Sequence, residues 1–335
     1  MRYLTFGLSM ILLYESQFKK KNKKILILIS AFILLVFSTF REFFSDGIYA
    51  GNDYRSYETW FNSINAINII IGNDLFFNLL MLLIDRLTGS FMVFIFVTSL
   101  LGVYSIYKFS LENSKNHVFT IFLFITFGIY ELGLSAIRQS VAISIFLLAF
   151  KYIKEKKFWK YLISILIATQ FHSSAIYLIL VYPFMYIKLK PSIKGTILAL
   201  FAFGFTILVR MGIYESLLIN YFEGYAQKYE NIGNELNSNY TVFIISMLVL
   251  LVIHFFKAIR NNMLEKGKIE YLYLQLLCLF AYLATLHPTL GRELQYFMPA
   301  ITLVIPKTFE FIKDEKTVRI GTISIGLLFL LIYVL

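Results

Sequence analysis

Residues 25–40 read Ile25-Leu26-Ile27-Leu28-Ile29-Ser30-Ala31-Phe32-Ile33-Leu34-Leu35-Val36-Phe37-Ser38-Thr39-Phe40, with Lys23-Lys24 before them and Arg41 directly after. The stretch carries no charge and no polar stripe, so it has no face suited to water. As a helix it rises about 24 Å, close to the ~30 Å hydrocarbon core of a bilayer. The flanking cations can bridge the remainder by stretching their aliphatic stems toward the interface.

The same pattern recurs along the chain. Further apolar runs lie near 3–15, 91–107, 117–133, 136–152, 158–170, 172–187, 195–213, 240–256, 270–286, 294–309 and 320–335, with a shorter one at 75–88. Hydrophobic residues make up 59% of 335 and charged residues only 15%, against roughly 25% charged in a water-soluble domain. The fold class expected is all-α: a polytopic integral membrane protein with about 12 transmembrane helices in a single transmembrane domain, 1–335. The net charge of +11 sits in short loops beside apolar runs, so membrane topology accounts for it better than nucleic acid does. Cys278 is the one cysteine, which excludes an intramolecular disulfide and a cysteine-rich metal site. The first run is followed by lysines and not by a small-residue cleavage site, and reads as a retained helix.

Lysine placement sets an orientation. Loops at 16–24, 108–116, 151–160, 188–194, 257–268 and 307–319 hold 23 of the 31 basic residues and are expected to be cytoplasmic. Residues 41–90 then stay outside, and the run at 75–88, with internal Asp85 and Arg86, is a re-entrant or interfacial helix. Both termini fall outside in this scheme. The other eight basic residues are Arg2, Arg41, Arg55, Arg86, Arg138, Arg210, Lys228 and Arg292. Seven are arginine, whereas 21 of the cytoplasmic 23 are lysine. Arginine presents a planar fork of donors matched to phosphate and carboxylate, so its enrichment outside points to an anionic ligand there.

Four constellations carry the outward-facing polarity. Arg41 precedes Gly51-Asn52-Asp53-Tyr54-Arg55-Ser56-Tyr57, and Tyr54, Tyr57, Trp60 and Phe61 place an aromatic face on one interfacial helix. That face reads either as an aromatic belt or as a sugar-stacking surface, with Asp53 as a carboxylate for hydroxyls. Ser135-Ala136-Ile137-Arg138-Gln139-Ser140 puts a cation at the start of an apolar helix, as part of a substrate path or as an ion pair with Glu131. Ala168-Thr169-Gln170-Phe171-His172-Ser173-Ser174 must turn between two apolar runs, and His172 there is a structural or a functional histidine. His287-Pro288-Thr289-Leu290-Gly291-Arg292-Glu293-Leu294-Gln295-Tyr296 places Arg292 and Tyr296 four apart on one helix face, or forms a polar turn with a local Arg292–Glu293 contact. The tyrosines of 214–239 are interface anchors or ring-stacking groups. No Walker loop, nucleotide fingerprint, metal motif or nucleophile elbow is present.

In this order these motifs resemble the EpsG-like branch of the Wzy-type polysaccharide repeat-unit polymerases. The residues that carry the resemblance are Arg41, Gly51-Asn52-Asp53-Tyr54-x-x-Tyr57, Ser135-x-x-Arg138-Gln139, Ala168-x-x-Phe171-His172-Ser173-Ser174 and Gly291-Arg292-x-x-x-Tyr296. One departure is Asn73-Asp74-Leu75-Phe76-Phe77, where the family more often has a Glu-Pro-Gly-Phe-like turn. The resemblance implies a GT-C-like membrane glycosyltransferase, metal-independent and without cofactors. Such an enzyme joins oligosaccharide units carried on undecaprenyl diphosphate at the outer face of the bacterial plasma (inner) membrane, in capsule, exopolysaccharide or O-antigen synthesis. The implied partners are the undecaprenyl-diphosphate-linked oligosaccharide, membrane lipid, and a flippase and chain-length regulator of the same pathway, with no nucleic acid. His172 and Asp53 are the catalytic candidates; Arg41, Tyr54, Arg138, Gln139, Arg292 and Tyr296 are the substrate-binding candidates. Arg138 and Arg292 are expected to share one outward cavity around the diphosphate, whose departing charge needs preorganised cations. Competing classes are a lipid-linked sugar transporter or flippase, which should show related halves, and a membrane acyltransferase.

Overall fold

The computed structural model describes residues 2–18, 22–43, 53–64, 74–214, 216, 235–312 and scattered positions from 314 to 326. Gly51-Asn52, Asn73, Tyr221, Tyr225, Tyr229 and most of the run at 320–335 lie outside the described residues. Every regular element among the described residues is helical, as the apolar pattern requires. The helices group into two compact units, one within Met1–Ile179 and one within Leu180–Gly321.

In the first unit, helices α1 (Arg2–Phe18) and α2 (Lys23–Thr39) pair as a hairpin. After α2 come α3 (Tyr54–Ser63), α4 (Leu75–Thr88), α5 (Phe91–Asn113), α6 (His117–Thr126), α7 (Ile129–Ser135), α8 (Ile137–Lys154) and α9 (Phe158–Phe171). The centre is the packing of α5 on α8, with α2 against α5 and α9 against α8. Buried hydroxyls inside it meet one another: the Tyr107 hydroxyl lies 2.5 Å from Ser30 Oγ, which itself lies 2.8 Å from Ser9 Oγ, and the Tyr130 hydroxyl lies 2.6 Å from Ser38 Oγ. A cavity of about 20 Å³, room for one water molecule, is lined by Ser38, Gly102, Tyr130, Gly133, Ser140 and Ser144 among others.

The second unit is built on α14 (Lys268–Leu286), preceded by α10 (Val181–Tyr186), α11 (Pro191–Arg210), α12 (Glu235–Phe255) and α13 (Lys257–Lys266), and followed by α15 (Gly291–Gln295) and α16 (Pro299–Phe309). Helices α11, α12, α15 and α16 all pack on α14, which buries 13 of its 19 residues. By contrast Lys194 is the one buried residue of α11. Its ammonium donates to the carbonyls of Phe184 and Met185, the latter at 3.1 Å, and so closes the C-terminal end of α10.

By length and composition, α5, α11 and α14 can each cross a membrane, and up to five spans result if α6 with α7 and α12 with α13 each count as one. The apolar runs alone predict about twelve. The difference has local causes. The run at 117–133 breaks at Gly128, whose φ of 73° is open to glycine at no cost, and the two halves bend by 47°. The run at 172–187 begins as a 3₁₀ helix over Ser173–Leu180. Helices α1 and α2, at 17 residues, rise about 26 Å, close enough to the core thickness for flanking cations to bridge the remainder. Helix α4 has the same bounds as the short run at 75–88; its 14 residues rise about 21 Å, too little to cross.

Candidate functional site

The aromatic pattern of α3 does form a face, and that face packs inward. Tyr54, Tyr57 and Phe61 are buried against Phe77 of α4 and Phe91 and Phe94 of α5, in a cluster that also takes in Ile137 at the start of α8. Ring pairs such as Tyr57–Phe77 at 5.8 Å and Phe77–Phe94 at 5.5 Å meet edge to face, the favoured geometry for two quadrupoles. Trp60 is only partly buried and lies at the border of the cluster. The sequence spacing located the helix; which rings turn inward is set by α4 and α5.

Arg41, directly beyond α2, is 1% exposed. Its Nη1 donates to the Ser38 carbonyl at 2.8 Å, and its guanidinium lies over the Tyr54 ring at 4.9 Å. Burial lowers its pKa to about 10, partly offset by Tyr54, Tyr130 and Glu42, so it stays cationic at neutral pH. Tyr54 in turn donates to Glu42 at 3.1 Å, and its hydroxyl is pushed up to about 12 by burial and by that carboxylate. Glu42 also pairs with Arg55 at 2.6 Å, which pins the start of α3 to the turn after α2. Asp53 stands exposed at the N-terminus of α3 and makes no side-chain cap.

Arg138 is the second residue of α8. A cation there opposes the positive end of the helix dipole and needs compensation. Asp74 supplies it: Arg138 Nη1 donates to Asp74 Oδ2 at 2.7 Å. The other carboxylate oxygen of Asp74 accepts the backbone N–H of Ser173 at 3.1 Å. Asp74 can do both because its backbone is left-handed, with φ 64°, which Asp tolerates better than most residues. Its own carbonyl starts α4 by accepting from Phe77 and Asn78 at 3.1 Å each, and its side chain makes no cap. Burial raises the Asp74 pKa, against the opposing pull of Arg138 and the Ser173 N–H. The Arg138 guanidinium also lies 5.2 Å from the Trp60 ring. Its Nε is buried with no hydrogen-bond partner among the described residues. Gln139 beside it is buried.

His172 ends α9 in an extended conformation, at the turn expected from the uncharged run, and is 7% exposed. Its carbonyl accepts from Ala175, which begins the 3₁₀ helix. The Ser173 N–H contact to Asp74 therefore joins three elements that the sequence treats separately: the start of α8, the turn at His172 and the start of α4. Asp74 is the residue that the motifs did not single out. The signal available was an acid inside the departing stretch 73–77, on a side where every buried arginine needs a counter-charge.

In the second unit, Tyr296 is buried, and its backbone carbonyl accepts from the Tyr273 hydroxyl at 2.6 Å. Arg292 is partly exposed on α15. Next to it, Glu293 has a buried Oε2 without a hydrogen-bond partner among the described residues. Burial raises its carboxyl to about 7, with its own backbone N–H and Arg292 opposing. His287 Nδ1 and Thr289 Oγ1 lie 2.9 Å apart, and Thr289 meets the Tyr214 hydroxyl at 2.9 Å. Among the described residues no three His, Cys, Asp or Glu groups are placed to hold a metal ion.

The model of the EpsG family matches residues 24–335. No curated protein and no solved structure matches.

Proposed function

Because the chain belongs to the EpsG family, the family of Wzy-type polysaccharide polymerases, we propose that it lengthens a polysaccharide from lipid-linked oligosaccharide repeat units. In this reading the glycan leaves one undecaprenyl diphosphate and is joined to a sugar hydroxyl on another. The 23-to-8 distribution of basic residues supports placing the reaction at the outer face of a bacterial inner membrane.

The observation that carries the reading is Arg138, a guanidinium set at a helix N-terminus, over an indole ring and beside the His172 turn. A departing diphosphate gains most from a cation whose position is set before the reaction, in surroundings poor in water. Arg138 has five donors; the ion pair with Asp74 engages one nitrogen through a single contact, and Tyr57 is a second hydrogen-bond partner. The helix N-terminus adds positive potential at the same place. His172 acts next to it, as base toward the acceptor hydroxyl or as donor to the diphosphate. Asp53 is the alternative carboxylate for that hydroxyl. No metal and no cofactor is required, and a flippase and a chain-length regulator act before and after this step.

The test is complementation of a strain lacking the gene, with the product read as a glycan ladder on gels. Arg138→Lys should abolish the ladder nearly as fully as Arg138→Ala and leave single repeat units, with the protein still in the membrane. A full ladder from Arg138→Ala would overturn the reading.

A further inference from the structure

The exposure of the two charged partners differs in a way that assigns them different tasks. The Arg138 side chain is 32% exposed, whereas that of Asp74 is 3% exposed. Part of the Arg138 side chain is open to an incoming ligand, and the carboxylate is not. Asp74 spends its two oxygens on two different elements, Arg138 at 2.7 Å and the Ser173 N–H at 3.1 Å. Its own backbone leaves it little freedom. The φ of 64° sets the direction of its Cα–Cβ bond, and the helix that it begins is anchored through Phe77, Met81 and Ile84, all buried. The indole of Trp60 bounds the guanidinium on another side.

We infer that Asp74 is a positioning residue, whose one carboxylate holds the Arg138 guanidinium at a fixed distance from the His172–Ser173 turn. The inference rests on the polymerase reading above and adds a part to it. A lone arginine has four side-chain torsions, and a misplacement of about 1 Å costs on the order of 10²-fold in rate. A carboxylate that clamps one nitrogen of the fork, with the guanidinium also hydrogen-bonded to Tyr57, limits that freedom and leaves part of the fork to meet phosphate oxygens. Because the same carboxylate holds the Ser173 N–H, the cation and the histidine turn keep one spacing.

Asp74→Asn separates this role from a structural one. Asparagine tolerates the left-handed backbone, and its carbonyl still accepts from Ser173. Only the clamp on Arg138 is lost. The purified full chain in liposomes would be given lipid-linked repeat units isolated from a polymerase-deficient strain, and kcat and KM measured for the wild type, D74N, R138Q and the double variant. D74N should lower kcat by tenfold or more while the protein still accumulates in the membrane, and in the R138Q background it should add no further loss, because a residue acting through another is non-additive with it. Should D74N not accumulate in the membrane, D74G takes its place, since glycine suits φ 64° and also lacks the clamp. Wild-type kcat in either variant, or losses that multiply with those of R138Q, would overturn the positioning role while leaving the polymerase reading intact. If the wild type itself fails to lengthen the repeat units, the reading and the inference fall together.

Discussion

Glu293 shows what burial does to a single carboxyl. In the folded chain it titrates near 7, well above the ~4.3 of an exposed glutamate. The folded state therefore binds its proton more tightly than the unfolded state does. The stability contributed by that proton is complete below about pH 4.3 and is lost as pH rises through 7. Glu293→Gln removes the titration, so its unfolding temperature in detergent should change less than the wild type's between pH 4.5 and 7.5, a difference of up to about 3 kcal/mol. Parallel curves would mean that Glu293 is solvated. Arg41 gives a second expectation at this scale. Lysine keeps the charge but not the flat face stacked over Tyr54. Arg41→Lys should lower stability by about 1–2 kcal/mol, the range of a desolvated cation–π contact, read as a fall in unfolding temperature. The partnership of Arg138 with Asp74 was not legible in the sequence. The acid nearest to Arg138 in the chain is Glu131, seven residues away, whereas Asp74 is 64 residues away. Only the packing of α4 beside α9 brings it near.

Helices were more legible than their partners. The bounds of α4 followed from the apolar run at 75–88, and the structure ends it on left-handed backbone at both sides, Asp74 at φ 64° and Gly89 at φ 62°. The N–H of Gly89 closes the helix on the Asp85 carbonyl at 2.8 Å. The aromatic helix α3 and the turn at His172 were likewise legible, from spacing and from the absence of charge. The break at Gly128 was hidden, because one glycine in an apolar run is as compatible with a straight helix as with a bend. Two glycines allow the left-handed joint to be measured. A methyl group on either Gly7 or Gly89 would meet nothing within 4 Å, but only Gly89 has positive φ. Gly89→Ala should therefore cost about 1–2 kcal/mol of backbone strain, whereas Gly7→Ala, inside α1, should be stabilising by up to about 1 kcal/mol. Equal effects on unfolding temperature would contradict the left-handed joint.

At the scale of the molecule, the orientation proposed from lysine placement can be read by labelling. Cys278 is buried and is the single native cysteine, so Cys278→Ser gives a silent background. A cysteine at Asn62, exposed on α3, should react with an impermeant maleimide on intact cells, and one at Glu155, exposed after α8, should react only after lysis. The reverse pattern would put the Arg138 site in the cytoplasm. The division into two units has an optical consequence. The chain has two tryptophans, Trp60 and Trp159, and both belong to the first unit. Indole emission excited near 295 nm is thus blind to the whole of Leu180–Gly321. Trp159 is 71% exposed, so in a Trp159→Phe protein the remaining emission comes from one ring, 5.2 Å from the Arg138 guanidinium. A melting curve recorded by fluorescence would follow the first unit alone, and one recorded by calorimetry both.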